Sequence, residues 1–479
     1  MQRAYDAVVV GAGPNGLSAA VALARAGLGV LVVEAHDTPG GGARTRELTV
    51  PGFLHDVCST VHPLGRASPW FRMLGLEDAG VTWIDPPAAL AHMLPDGRAV
   101  MLERSIDDTA AQLGRDGPAY RALMQPLVDR FATLAEMILG PVRIPRAPML
   151  YAQFGLAALR SLRGLARSRF RDVEAPALLA GIAAHAMVPL GSPATASFGL
   201  VLGSAGHAVG WPIARGGSQT IIAALLARLR EMGGELELGF AVERLAQLPP
   251  ARAYLFDVTP RQLIAIAGDR LAPHERAALA RFRYGPGVFK IDWALRGPIP
   301  WRDPRCARAA TVHLSGTLDD VERAEHAVLV GEPAARPFTL LVQPTLFDAS
   351  RAPDGGAHTA WAYCHVPHGA PIDATAAIEA HVEAFAPGFR DLVIARATMD
   401  PPAMAAYNPN YIGGDINGGM SDLGQLLSRP RIQIDPYTTS APDIFLCSSS
   451  TPPGGGVHGM CGYWAARSAL ARVFGRTYE

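Results

Sequence analysis

The sequence predicts an α/β fold: a Rossmann-type dinucleotide-binding domain, discontinuous along the chain, with an inserted α+β substrate domain. Three glycine-rich turns predict it. Ala7-Val8-Val9-Val10 runs into Gly11-Ala12-Gly13-Pro14-Asn15-Gly16 and then an alanine- and leucine-rich segment. Pro39-Gly40-Gly41-Gly42-Ala43-Arg44-Thr45 follows the next β-branched run. A third turn, residues 448–460, lies between a short apolar run and an alanine-rich segment near the other terminus. The chain has 479 residues, enough for about three domain-sized units. With 49% hydrophobic and 18% charged residues it is globular, not disordered or fibrous.

The elements follow in order. Residues 7–10 form a buried parallel strand, 17–26 a helix closed by Gly27, and 30–33 a second strand with Glu34 at its carboxyl end. Residues 67–214 read as mainly helical. Residues 219–232 make an amphipathic helix with Ile222, Leu225, Leu226 and Leu229 on one face and Ser218 as N-cap. Strands are expected at 235–238, 241–245 and 253–258, then at 288–295, 338–342 and 359–365, and last at 444–447 before a helix over 465–473. The expected division is 1–66, 215–285 and 436–479 for the nucleotide domain, with 67–214 and 286–435 building the substrate domain.

Composition narrows the partners. Forty-three basic residues balance 43 acidic ones without a basic block, which speaks against nucleic acid. Five scattered cysteines without a CxxC speak against a disulfide framework or zinc site and fit a reducing cytosol. The apolar run 8–24 contains the glycine fingerprint, so it reads as nucleotide fold and not as a targeting segment. Residues 175–214 hold no Asp, Glu, Lys or Arg, but prolines and glycines cut the stretch below the roughly 20 residues of a membrane span. It reads as buried helices around an apolar cavity or as a patch resting on a bilayer.

The chemistry follows from the turns. Gly11 permits a tight turn, Gly13 lets a pyrophosphate approach the backbone, and Gly16 lets helix pack on strand. The helix N-terminus supplies N–H groups and partial positive charge. Glu34, 23 residues after Gly11, stands where an acid takes ribose hydroxyls. The second turn brings Gly41, Gly42 and Ala43 to the same pyrophosphate, with Arg44 for its charge, and the doublet favours FAD over NAD. N–H groups of the third turn would stabilise negative charge on a reduced flavin.

The spaced set VVVGAGPNGLSAAVALARAG, LVVEAHDTPGGGARTRELTVPGF, GWPIARGGSQTIIAAL, FKIDWAL and SSSTPPGGGVHGMCGYWAA resembles the phytoene-desaturase-like flavoproteins, which belong with the amine oxidases in a wider FAD superfamily. The match is nearest to bacterial members similar to the pyridine-nucleotide-disulphide-oxidoreductase-domain-2 type and covers essentially the whole chain. The resemblance implies FAD held at Gly11, Gly13, Gly16, Glu34, Gly41 and Arg44, an adenine contact from the backbone of Val242, and flavin contacts from Gly456, Val457 and His458. Pro14, Asn15, Ala35, Gly42, Ala43, Ser449 and Gly455 complete the candidate cofactor set. Two departures stand out: Gly42 replaces an arginine common in relatives, and Ser448-Ser449 replaces Gly-Ala or Gly-Asp.

Lys290 is the only lysine, and as a strand residue it shares a face with Val288 and Asp292. It is a catalytic candidate near flavin N5; a structural ion pair with Asp292 is the alternative. His458 is the second catalytic candidate, with helix packing as its plain alternative; covalent flavin attachment through His458 or Cys461 is a lesser one. No second strand–GxGxxG–helix unit is found, which favours oxygen or a quinone as electron acceptor over a stably bound NADPH. The expected function is an FAD-dependent oxidoreductase moving a hydride from a hydrophobic, isoprenoid- or lipid-like substrate to flavin N5 in a cytoplasmic protein. Peripheral membrane contact and a homo-oligomer are compatible with it. Polyene isomerisation, amine oxidation and a non-catalytic flavin-bearing interaction protein are the rivals.

Overall fold

The computed structural model describes residues 4–477. Its strands, in chain order, are β1 Tyr5–Val10, β2 Val30–Val33, β3 Thr45–Glu47, β4 Leu54–Asp56, β5 Trp83–Ile84, β6 Ala88–Met93, β7 Ala99–Glu103, β8 Ile213–Ala214, β9 Glu235–Glu237, β10 Ala251–Phe256, β11 Gly287–Leu295, β12 Ala309–Leu314, β13 Thr339–Val342, β14 His358–Val366, β15 Val393–Met399 and β16 Ile444–Leu446.

Five of them form a parallel sheet in the order β16-β10-β1-β2-β9. Three separated chain segments therefore build one sheet. The strands β1, β2 and β16 are apolar and largely buried because both faces are covered, while the edge strand β9 is partly exposed. Ala7, Val9, Val32 and Leu255 pack toward helices Pro14–Arg25, Gln219–Glu231 and Met460–Phe474. Val8, Val10, Val33 and Phe256 pack toward Leu263 and Leu279 on the opposite side.

The second sheet has seven strands in the order β15-β11-β14-β13-β12-β6-β7. All neighbours are antiparallel except β12 and β6. Alternation divides its residues. Phe289, Ile291 and Trp293 pack into a core with Ile378 and Val382, whereas Val288, Leu340, Val342, Trp361 and Tyr363 face the central core shared with the first sheet. The uncharged stretch 175–214 is interior: helices Glu174–Ala183 and Thr195–Ala208 carry the fully buried Leu178, Leu179, Ile182 and Leu200. No helix among the described residues is long and apolar enough to cross a membrane.

Residues 67–214 are mainly helical, as expected, and also supply β6 and β7 to the second sheet. Several expectations need correction. Strand β9 ends at Glu237, and residues 241–244 are irregular. Ser218 stands at the N-cap but makes no capping bond; its hydroxyl is used by the carbonyl of Ser59 and by His62 Nε2 (2.9 Å).

A buried ion-pair network links β4 to the turn between β13 and β14. Arg351, fully buried, pairs with Asp56 at the end of β4 and with Asp348 at 3.1 Å. Asp56 also accepts from Ser218 N–H (2.8 Å), Thr45 (2.7 Å) and Thr60 (2.7 Å). Burial would raise its carboxyl, but Arg351 and these donors outweigh it and hold it at about 2. Removing one partner of such a pair typically costs about 3–5 kcal/mol, because the other charge is left buried.

Candidate dinucleotide site and adjoining cavity

One cavity of about 1160 Å³ collects the three glycine turns. Gly11, Gly13, Pro14 and Asn15 from the first turn line it, as do Glu34, Ala35, Gly41, Gly42, Ala43 and Arg44 around the second. Ser449, Gly455, Gly456, Val457 and His458 line it from the third. Val242 lines it too, from the irregular stretch that had been expected to be a strand. Asn15 Nδ2 donates to Ser449 Oγ (3.4 Å), so the first and third turns touch. A Cβ on Gly41 would lie 3.3 Å from Gly13 Cα, so the first and second turns also meet with no side chain between them. Gly11 needs its φ of +103°, in the region that favours glycine.

Gly16 is the exception: it does not line the cavity. Its Cα lies so close to the Gly11 carbonyl that any side chain would collide, and its N–H donates to Asp257 Oδ2 (2.8 Å). Its work is helix–strand packing, as the third glycine of such a turn should do.

Glu34 Oε2 accepts from Ala12 N–H (2.8 Å), and Oε1 accepts from His36 N–H (3.0 Å). Arg44 Nη2 lies 3.3 Å from Glu34 Oε1. The same guanidinium donates to Thr38 O (2.8 and 3.0 Å), Gly41 O (3.4 Å) and Tyr407 Oη (3.2 Å). Arg44 thus braces the second turn, and most of its donors are already spent on protein.

Sequence reading passed over Asp257, at the carboxyl end of β10. It lines the cavity, and its Oδ2 would sit 2.9 Å from a Cβ on Gly13. Burial pushes its carboxyl up to about 7; the Gly16 N–H opposes the shift and the Glu34 charge adds to it. The available signal was an acid directly after the buried run Tyr254-Leu255-Phe256, the same placement that singled out Glu34 after β2.

His458 is held locally. Met460 N–H donates to its Nδ1 (3.1 Å), its carbonyl accepts from Ser68 Oγ (2.7 Å), and burial lowers its pKa to about 4 although the Gly455 and Gly454 carbonyls oppose this. It is a neutral imidazole against the cavity wall. Cys461 does not line the cavity; its thiol rests on Thr451 O (3.5 Å) and Gly454 O (3.4 Å), and burial pushes it up to about 12.

Lys290 does not line the cavity either. It lies on the cavity side of the second sheet, one layer back. Its ammonium pairs with Asp292 and stands 4.9 Å from the centre of the Trp361 ring; His55 Nδ1 is 3.4 Å from Asp292. Burial raises Asp292 to about 6 against the pull of Lys290. Cys58, Trp361 and Tyr363 form the wall in front.

Beyond the turns the cavity becomes apolar, with Phe154, Phe198, Val201, Leu202, Leu340 and Val342 on its walls. Its volume exceeds the roughly 300–1,000 Å³ of a single small-molecule site. A side-chain-free cradle on three turns, an acid at the end of β2 and room beyond suit a long dinucleotide plus a second ligand.

Comparison with known proteins agrees with this geometry. Residues 9–75 match the family model of an NAD(P)-binding Rossmann-like domain. The mouse pyridine nucleotide-disulfide oxidoreductase domain-containing protein 2 is 27% identical over 553 residues, spanning 96% of this chain and 92% of its own. A lycopene-forming phytoene desaturase from a Paracoccus species is 22% identical over 499 residues, spanning 96% and 95%. A putrescine oxidase carrying three substitutions shares the fold, with a TM-score of 0.65 at 17% identity and coverage of 99% of each chain. Whole-length relatives, shared fold and converging turns lead to one conclusion: the chain carries a Rossmann-like dinucleotide-binding domain, is similar along its whole length to oxidoreductases of the desaturase and amine oxidase kind, and has FAD as the dinucleotide its turns fit.

Proposed function

We propose that this oxidoreductase takes a hydride from a C–H bond of an apolar substrate while the adjacent C–H or N–H releases its proton to solvent at the cavity mouth, leaving a C=C or C=N bond. One observation carries the reading: the cavity bounded by the three glycine turns continues without a partition into an apolar chamber. Bound FAD would supply the two-electron acceptor, with N5 as the atom that receives hydride. The residues of the chain do the remaining work. Gly13, Gly41 and the N-terminus of helix Pro14–Arg25, which line the cavity, would hold the pyrophosphate, and Glu34 would hold the ribose. Apolar walls exclude water and hold the substrate. Burial keeps His458 neutral, so that it packs the cofactor without adding charge. Lys290 acts from behind, holding Trp361 by the face of its ring. Gly203 and Gly206 lie inside helix Thr195–Ala208 and not in a strand–turn–helix unit, so that oxygen or a quinone is the proposed oxidant.

The test is a titration of apo-protein with FAD, followed by anaerobic mixing of the holoenzyme with a polyene, a monoterpene and a long-chain amine. Flavin bleaching by the apolar hydrocarbons is expected. Failure to bind FAD overturns the reading. Bleaching by the amine alone transfers the assignment to amine oxidation, and isomer formation at constant hydrogen count transfers it to polyene isomerisation.

A further inference from the structure

On the chamber wall formed by the helix end at His185, unsatisfied polar atoms of the chain gather. His185 lines the cavity at the end of helix Glu174–Ala183. Its ring centre is 5.6 Å from that of His313, which is 6.0 Å from that of His92. Phe338 lies between His313 and His365, 5.4 and 5.5 Å from each, and His365 Nδ1 meets Glu325 Oε1 at 2.7 Å. Six buried atoms here have no partner among the described residues: His92 Nδ1, His185 Nε2, both ring nitrogens of His313, His365 Nε2 and Glu325 Oε2. Buried polar atoms are nearly always satisfied, and one left unpaired is destabilising. Of these residues only His185 lines the cavity, so its Nε2 is the atom that a group from the cavity can reach, with His313 and His92 behind it.

The surroundings are built to keep the cluster. A side chain at Gly181 would collide with His92 Nδ1 and come within 2.6 Å of His313 Nδ1. Met187, two residues past His185, is held at φ 57°, a strained backbone for a residue with a side chain. Asn417 Nδ2 donates to the His185 carbonyl (3.3 Å), and the Asn417 backbone packs against Gly455 of the third glycine turn. The cluster is therefore tied to the end of the cavity where the third turn lies. Tyr363 lines the cavity beside it, with its ring 5.6 Å from His365.

Charge decides what fits. Burial lowers His185 and His92 to about 4 and His313 further, so these imidazoles are neutral, and the one carboxylate present, Glu325, is turned to His365. A neutral imidazole donates at one nitrogen and accepts at the other. A hydroxyl donates and accepts at a single atom. A carboxylate or ammonium would instead bring net charge into a dry site without a free counter-ion.

We propose that His185, backed by His313 and His92, is the subsite that receives a hydroxyl group carried by an otherwise apolar substrate. The proposal rests on the apolar-substrate reading above and adds the polar handle to it. The test uses the holoenzyme, with 1-dodecanol and n-dodecane delivered from cyclodextrin and binding read from the flavin absorption. His185→Leu should weaken 1-dodecanol about tenfold and leave n-dodecane within about twofold. An equal loss for both chains, or no loss for the alcohol, overturns the subsite and leaves the apolar chamber standing. Should the variant lose its flavin, the wild-type protein decides: the methyl ether of dodecanol, which cannot donate, should bind about tenfold more weakly than the alcohol. Equal binding overturns the proposal, as does tighter binding of dodecylamine or dodecanoate. If no chain binds, the apolar-substrate reading falls and the subsite with it.

Discussion

Asp257 and Asp56 are both buried carboxyls, yet their surroundings shift them in opposite directions. Asp56 has Arg351 and three donors, so its folded pKa lies near 2, below the ordinary value; the stability it contributes is present above about pH 4 and is lost as pH falls toward 2. Asp257 has one N–H donor and the Glu34 charge nearby, and burial dominates, so its pKa lies near 7. The native state then holds its proton more tightly than the unfolded chain between about pH 4 and 7, and stability falls as pH rises through that window. The other titratable groups facing it are Cys447 and Cys461, whose thiols burial keeps protonated. A pyrophosphate beside Asp257 also favours the protonated form. FAD affinity of the apo-protein is therefore expected to weaken from about pH 6 to about pH 9, and that of Asp257→Asn to stay flat. Fluorescence titration across this range checks it; the same slope in both proteins would exclude the role.

At the scale of elements, helix Pro14–Arg25 is packed on the other side by helix Met460–Phe474. The crossing is set by glycine, since a Cβ on Gly462 would overlap the Asn15 carbonyl. Gly462→Ala should force the helices apart, lower stability by about 1–3 kcal/mol and loosen FAD. Gly155→Ala is the control: nothing lies within 4 Å of its Cβ position in helix Pro148–Ala158, and it should be neutral or stabilising by up to about 1 kcal/mol. Thermal melts with flavin retention compare the two; an unchanged melt for Gly462→Ala would refute the packing argument. The same scale shows where local reading fails. Ala88-Ala89-Leu90-Ala91-His92-Met93 has no β-branched residue and favours a helix by propensity, yet it is strand β6, because β12 on one side and β7 on the other satisfy its backbone. The irregular stretch with Val242 lacks a partner strand and remains a loop.

At the scale of the whole molecule, the cavity opens beside an apolar, basic surface. Ile144 (92% exposed), Met149 (80%) and Leu156 (79%) project there, and Val142, Leu159, Leu427 and Ile434 are both exposed and part of the cavity lining. Residues 137–171 contain seven arginines and no acid, and only Arg163 and Arg167 are ion-paired among the described residues. This surface, and not the interior stretch 175–214, is the proposed contact with an anionic bilayer from which an apolar substrate enters. The protein should sediment with phosphatidylglycerol-containing vesicles more than with pure phosphatidylcholine. Ile144→Asp combined with Met149→Asp and Leu156→Asp should abolish this and leave FAD bound. Equal sedimentation with both lipids, or no effect of the substitutions, would count against it.

The three glycine turns that line the cavity were legible in the residues alone. Each glycine turn is a local device, a strand end, a tight turn and a helix start, so its residues and spacing carry the whole requirement; of the candidate cofactor residues only Gly16 lies off the cavity, and there it packs helix on strand. Contacts between residues far apart in the chain exist only once the fold has formed. Lys290 is a lone lysine in the sequence, but which groups surround it depends on Trp361 and His55 arriving from other segments. His92, His185, His313 and His365 are dispersed in the sequence and form a cluster only when strands β6, β12 and β14 and the helix before His185 close around one chamber. Local patterns are read from neighbours in the chain, whereas burial, charge pairing and cavity shape are set by neighbours in space.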